Sequence, residues 1–76
     1  MIVQLTGTLQ YKNIDELIID VNGVGYLCHI SNNTFNKLPN LDQQFTILTF
    51  LHIMENKHTL YGFMEKEERE LFTLLT

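Results

Sequence analysis

The sequence feature that most constrains the fold is the dipeptide Asn22-Gly23, which lies between two stretches of alternating apolar and polar residues. Both central residues of a type I′ turn need a positive φ, and Asn and Gly tolerate that conformation best. The residues before the turn place Leu17, Ile19 and Val21 on one face of a strand. The residues after it repeat the alternation, with one face formed by Val24, Tyr26, Cys28 and Ile30. The sequence therefore predicts a tight β-hairpin, and Gly25 is a candidate bend in a strand that coils into a barrel.

The composition predicts a single small domain in a reducing compartment. The chain has 76 residues and one cysteine, so no disulfide can form within it. Because Cys28 lies on the inward face of its strand, we expect a buried and unreactive thiol. No apolar run approaches the length of a membrane span, and the first residues do not form a signal peptide. These features favour a soluble, cytoplasmic protein.

The charge balance disfavours an independent nucleic-acid-binding domain. Five basic and nine acidic residues give a net charge of −4, whereas DNA affinity depends largely on Lys and Arg contacts to phosphates. Two of the five basic residues, Lys66 and Arg69, lie among glutamates. We therefore expect this chain alone to bind DNA weakly or not at all. It contains no nucleophile–base pair and no glycine-rich phosphate loop, so the sequence predicts neither catalysis nor a cofactor.

The order of the predicted elements is typical of an OB-fold, a five-stranded Greek-key barrel. Alternation predicts a first strand over residues 3–11, and the Asn-Gly hairpin supplies the second and third strands. The side chains of residues 31–33 can cap a short helix over residues 34–37. The most apolar stretch, residues 45–54, predicts a strand covered on both faces, and a turn at residues 55–57 leads to a fifth strand at 58–63. The expected class is all-β with a short helix, and such a fold implies no activity by itself.

The last residues change character and predict a helix that begins another domain. Residues 65–75 start polar and end apolar, and Glu65 lies four residues before Arg69, a favourable helical pair. No capping residue or glycine follows the apolar end. We therefore expect residues 1–63 to form the barrel domain and residues 64–76 to form the start of a truncated second domain.

Two short signatures occur in the order and spacing of a known family. Gly23-Val24-Gly25-Tyr26 closes the first hairpin, and Leu60-Tyr61-Gly62-Phe63 is followed at once by the Lys-Glu-Glu-Arg-Glu-Leu-Phe sequence of residues 66–72. With Met1-Ile2 at the start and Leu38-Pro39 in the middle, the whole chain resembles the amino-terminal domain of the RuvA family, which binds Holliday junctions. The resemblance implies an OB barrel, a second domain with two helix-hairpin-helix motifs that begins within residues 64–76, and a third domain that contacts the RuvB ATPase.

The resemblance also implies how such a protein acts. RuvA-like chains form a homotetramer that holds four-way junction DNA open and square, and the main phosphate contacts belong to the second domain. The first domain supplies the tetramer core and an acidic pin in the hairpin between its last two strands, whose carboxylates repel phosphates at the junction centre. Here the pin is Glu55 and Asn56, flanked by Lys57 and His58. The family pin usually has two adjacent acids, so Lys57 could offset or pair with the single Glu55; an ordinary solvated turn is the alternative.

The two-sided apolar pattern of residues 45–54 exceeds the needs of one small barrel. We therefore predict that this strand forms part of the subunit interface, with Leu48 and Phe50 in contact with a neighbouring copy.

Three other interpretations of the same residues remain open. His52 and His58 flank the turn with Glu55 between them, but a metal site there lacks a fourth ligand and any dedicated spacing. His29 is expected to be a solvated surface residue. Five aromatic residues are compatible with base stacking in a single-strand-binding OB module: Tyr11, Tyr26, Phe50, Tyr61 and Phe63. No basic residues accompany them, and core packing is favoured for Tyr26, Tyr61 and Phe63. A purely oligomeric domain without a nucleic-acid role is the third alternative.

Overall fold

The computed structural model describes residues 1–76 and contains five strands and two helices. They are β1 (Gln4–Lys12), β2 (Glu16–Val21), β3 (Val24–His29), α1 (Asn32–Phe35), β4 (Gln44–Met54), β5 (Lys57–Phe63) and α2 (Lys66–Leu75). The strands close into a barrel in the order β1-β2-β3-β5-β4. All neighbours are antiparallel except β3 and β5, which pair in parallel at His29 and Tyr61. This architecture confirms the predicted OB-fold. Neither helix has the length and apolar character that a membrane span requires.

The β2–β3 hairpin closes through the predicted turn. Asn22 has φ 53° and Gly23 has φ 89°, as a type I′ turn requires. The pairing of the two strands then runs without interruption from Val21 and Val24 through Gly25. The one register shift of the barrel lies in β1, between Leu9 and Tyr11, so the expected bend at Gly25 is not accompanied by a bulge.

The shift in β1 moves Tyr11 to the outer face of the barrel. Leu9 pairs with Ile19 on the inside, but the next paired residue, Tyr11, lies opposite Ile18 on the outside. Ile18 in turn pairs with Leu27 of β3. An extra residue in one strand moves each later side chain of that strand to the opposite face of the sheet. Simple alternation predicts that Tyr11 shares the inner face with Leu9, and this prediction is wrong. Tyr11 lies outside the barrel and is 45% exposed.

The core of the barrel is small and almost entirely aliphatic. Its buried members are Leu9, Leu17, Ile19, Cys28, Ile47 and Leu60. Cys28 points inward as predicted, and burial raises the pKa of its thiol to about 12. The thiol is therefore protonated at neutral pH, which confirms the expected buried cysteine and removes it as a nucleophile.

The helix α1 and the loop after it lie against the first strand. The Oγ of Ser31 accepts a hydrogen bond from the backbone N–H of Thr34 and caps the helix, which begins at Asn32 rather than at residue 34 as predicted. The ammonium of Lys12 donates to the carbonyl oxygen of Pro39 over 2.9 Å and lies 5.8 Å from the centre of the Phe35 ring. These contacts engage Lys12 within the chain.

Candidate functional site

The most prominent projection of the molecule is the hairpin that joins β4 and β5. β4 pairs with β1 only from Gln44 to Leu48, whereas it pairs with β5 from Leu48 to Met54. β5 pairs with β3 only at Tyr61. We call residues 52–59 the hairpin arm. At about 3.3 Å per residue, the arm extends roughly 10 Å beyond the strands that flank it.

The tip of the arm presents the residues predicted to form the pin. Glu55, Asn56 and Lys57 are all exposed. Neither of the two ion pairs in the structure involves Glu55 or Lys57, since these pairs join Lys37 to Glu65 and Lys66 to Glu70. The predicted intra-turn pairing of Glu55 with Lys57 is therefore not formed. The carboxylate of Glu55 is free to act on a charged ligand.

Glu55 also has an unusual backbone conformation. Its φ is 36°, in the left-handed region that L residues with a Cβ rarely adopt. A conformation of this kind costs about 1–2 kcal/mol relative to the right-handed region. Asn56 is not among the residues with positive φ, although Asn tolerates that conformation better than Glu. The acidic residue thus occupies the more demanding position of the turn.

The two histidines of the arm do not come together. His52 pairs with Thr59 on one face, whereas His58 pairs with Ile53 on the other. Successive residues of a strand point to opposite faces, so the two imidazoles cannot bind one metal ion. The hypothetical metal site between them is therefore wrong. No group of three or more His, Cys, Asp or Glu side chains is arranged to hold a metal ion.

The predicted interface strand is covered in part by the chain's own last helix. Phe72 of α2 lies 5.9 Å from Phe50, 4.7 Å from Tyr61 and 5.4 Å from Phe63, measured between ring centres. The three rings that contact Phe72 lie on the outer face of the barrel. Tyr61 therefore packs beneath α2 and not in the core, which corrects the prediction. Leu48, which pairs with Phe63, is half-buried on that face. The second apolar side of β4 thus has an intramolecular cover at Phe50, and the role of Leu48 and Phe50 in a subunit interface stays a prediction.

The remaining aromatic candidates are also separate from one another. His29 is exposed, as predicted, and its ring centre lies 5.9 Å from that of Tyr61. Tyr26 packs against the core, whereas Tyr11 lies on the outer face of β1. The structure therefore brings no basic, aromatic surface together of the kind that single-strand-binding proteins use.

The fold and the projecting arm together define an OB-fold protein whose exposed hairpin tip carries Glu55, Asn56 and Lys57. A family model described as "RuvA N terminal domain" matches residues 1–62. The chain is 48% identical over 75 residues to the Holliday junction branch migration complex subunit RuvA of Chloroherpeton thalassium, which covers 99% of this chain and 38% of that protein. The chain therefore belongs to the RuvA family.

Two further relatives carry the same description. The protein of Marinomonas sp. is 47% identical over 75 residues, which cover 99% of this chain and 38% of the relative. The protein of Pseudomonas entomophila is 50% identical over 72 residues, which cover 95% of this chain and 35% of the relative. The chain thus spans well under half the length of the curated relatives it matches.

Proposed function

We propose that this chain is the amino-terminal, pin-bearing domain of a Holliday-junction scaffold that supports ATP-dependent branch migration in recombination and DNA repair. The observation that carries the proposal is the free carboxylate of Glu55 at the tip of a projecting arm, in a chain of the RuvA family. The domain has no catalytic role in this proposal. ATP hydrolysis belongs to a separate, RuvB-like ATPase in the cytoplasm.

The pin acts by electrostatic repulsion. Glu55 lies at the most distant part of the arm, so four copies around a four-fold axis bring four carboxylates near the centre of a bound junction. Phosphates that approach this centre meet like charge, which favours the open, square arrangement over stacked arms. Asn56 at the tip adds hydrogen-bonding capacity without charge. Lys57 and His58 flank the pin on β5, and the charge of Lys57 offsets part of its field.

The phosphate grip comes from the part of the protein that follows this chain. The net charge of −4 disfavours tight DNA binding by the chain alone. We assign the main phosphate contacts to a helix-hairpin-helix domain that begins within residues 64–76, and the contact with the ATPase to a third domain. The barrel of residues 1–63 then positions the pin and supplies the tetramer core.

The proposed assembly is a homotetramer, with Leu48 and Phe50 in its subunit interface. Leu48→Glu is the better test, because Phe50 also packs on Phe72 within the chain. We expect Leu48→Glu to shift the mass of the full-length protein measured by light scattering from tetramer to monomer. Gln10→Glu, an exposed change on β1, is the control for added charge. A tetrameric mass for the Leu48 variant would exclude Leu48 from the interface.

Competition binding of the full-length protein tests the proposed function. A four-way junction competes with a linear duplex of equal length, and single-stranded DNA is the third competitor. We expect a large preference for the junction that is lost when the protein ends at Thr76. Equal affinity for junction and duplex, or a preference for single strands, would favour a general single-strand-binding OB module instead.

A further inference from the structure

A group of side chains outside the pin fixes α2 to the barrel. The Glu68 carboxylate accepts hydrogen bonds from three residues at α1. Its Oε1 accepts from the Nδ2 of Asn33 over 3.1 Å and from the Oγ1 of Thr34 over 3.2 Å. Its Oε2 accepts from the Oγ of Ser31 over 2.5 Å. We call these four residues the Glu68 clamp. Charge-assisted hydrogen bonds of this kind are stronger and more directional than neutral ones.

Three further contacts hold the same face of α2. The Nη1 of Arg69 donates to the carbonyl oxygen of Val3 over 2.9 Å, and Phe72 packs in the aromatic cluster on β4 and β5. Glu65, just before the helix, accepts from the Nδ2 of Asn33 and from Lys37. The Asn33 hydrogen bond and then Lys37 lower the pKa of the Glu65 carboxyl below its ordinary value. α2 is thus attached near the chain start, at α1 and on the β4–β5 surface that continues into the arm.

The rest of α2 presents an apolar surface with no cover in this chain. Leu71, Leu74 and Leu75 are 59%, 83% and 78% exposed. Leu71 and Leu75 also border a groove of about 340 Å³ whose other walls include His29 and Tyr61. Exposed apolar surface of this kind marks a contact site for another folded unit. The occupant to which we assign it is the segment of the longer protein that follows Thr76, because the relatives extend far beyond the matched region.

We propose that α2 is a rigid connector and that Glu68 is a positioning residue for junction recognition. The amino-terminal half of the helix is fixed to the barrel by the Glu68 clamp. The exposed leucines of its carboxyl-terminal half hold the rest of the domain that begins with this helix. The clamp therefore sets the orientation of the phosphate-gripping domain relative to Glu55 at the pin. This inference rests on the proposed function, since it assigns the DNA grip to the following domain.

A change in this orientation affects junctions and duplexes differently. Contacts to phosphates alone are sequence-independent and tolerate small rearrangements, so duplex affinity depends little on where the pin lies. A four-way junction must satisfy the grip and the pin in one fixed geometry. Loss of the clamp therefore lowers selectivity for the junction rather than overall DNA affinity.

The test compares Glu68→Gln with Glu67→Gln in the full-length protein. Both remove one negative charge from the first turn of α2, but Glu67 is exposed and makes no side-chain hydrogen bond or ion pair. We expect Glu68→Gln to reduce the ratio of junction to duplex affinity about tenfold, the effect of losing one or two charge-assisted hydrogen bonds. The duplex affinity of Glu68→Gln stays within about twofold of wild type. Glu67→Gln leaves both the affinity ratio and the duplex affinity unchanged. Ser31→Ala removes one donor to Glu68 and also the cap of α1, and it lowers the ratio in the same direction. Glu68→Gln leaves that cap in place.

An orientation measurement separates positioning from a general structural effect. One spin label is placed at the exposed Gln44 on the barrel and another in the domain that follows Thr76. We expect the distance distribution to broaden in Glu68→Gln and Ser31→Ala but not in Glu67→Gln. A wild-type ratio and an unchanged distribution in the clamp variants would overturn the positioning role. Absence of junction preference in the wild-type protein would instead refute the proposed function.

Discussion

A Cβ atom at Gly7 would lie 2.1 Å from the backbone carbonyl oxygen of Asp20, so β1 and β2 must separate to admit any side chain there. At Gly25 the nearest atom outside the adjacent residues is the Cγ2 of Ile18, at 3.3 Å on the outer face. We expect Gly7→Ala to lower the free energy of unfolding by about 3 kcal/mol, the upper range for overpacking, and Gly25→Ala by less than about 1 kcal/mol. Urea denaturation of both variants measures the difference, and equal midpoints would contradict it.

Cys28 makes the stability of the barrel depend on alkaline pH. Burial raises the pKa of its thiol from 9.0 to about 12 in the folded state. Below pH 9 the thiol is protonated in both states and has no effect. As the pH rises from about 9 toward 12, the unfolded state loses the proton first, so folding loses about 1.4 kcal/mol per pH unit.

The variant Cys28→Ala isolates this effect from the other alkaline groups. It is expected to be less stable than the wild type at pH 8 because it leaves a small cavity. The difference between the two proteins, measured by urea denaturation, should then shrink from pH 9 upward. A gap that stays constant to pH 10.5 would mean that Cys28 titrates normally in the folded barrel.

At the scale of elements, the apolar part of the contact between α2 and the barrel is made chiefly by a single aromatic side chain. Phe72 contacts three rings on β4 and β5, whereas Leu74 is 83% exposed. We expect Phe72→Ala to weaken the docking of α2 by about 2 kcal/mol, below the cost in a full core because Phe72 is only half-buried. Amide hydrogen exchange should then accelerate in α2 and stay slow in the barrel strands, with Leu74→Ala as the control. Acceleration throughout the barrel would show that α2 folds with it as one unit.

The elements themselves were largely accessible from sequence, because each depends on local signals. The Asn-Gly turn, the inward Cys28 and the order of strands follow from backbone preferences and alternation. The facing of Tyr11 did not, since a shift of register in β1 depends on its partner strand β2. Alternation also could not decide whether Leu60 or the adjacent Tyr61 points into the core. In the structure only Leu60 does.

The contacts of the candidate connector lay further beyond sequence reasoning. Glu68 reads as one of several glutamates in a solvated helix, and its partners at α1 are 34 to 37 residues away. No periodicity links residues across such a separation. The pin was predicted only because the family resemblance gave its position, and it stays a prediction. The φ of Glu55 and the separation of His52 from His58 required the three-dimensional structure.

At the scale of the whole molecule, the barrel carries two projections that begin from the same pair of strands. The hairpin arm extends β4 and β5 beyond their neighbours, and α2 packs on the outer face of those strands through Phe72. A displacement of α2 therefore acts on the base of the arm as well as on whatever follows Thr76. If the proposed pin and the proposed grip act as described above, this shared base gives a physical route by which one small domain relates the two.

Reversing the charge of the pin tests its action in the full-length protein. Glu55→Lys places an ammonium where phosphates are proposed to be repelled, so affinity for a four-way junction should rise. Its dependence on salt should also become steeper, by about 0.9 in logarithmic slope for each added phosphate contact. Asp15→Lys makes the same charge change at the exposed β1–β2 turn and should leave both quantities near wild type. Junction affinity measured from 50 to 300 mM salt checks this, and matching slopes for the two variants would place Glu55 away from the phosphates of the junction.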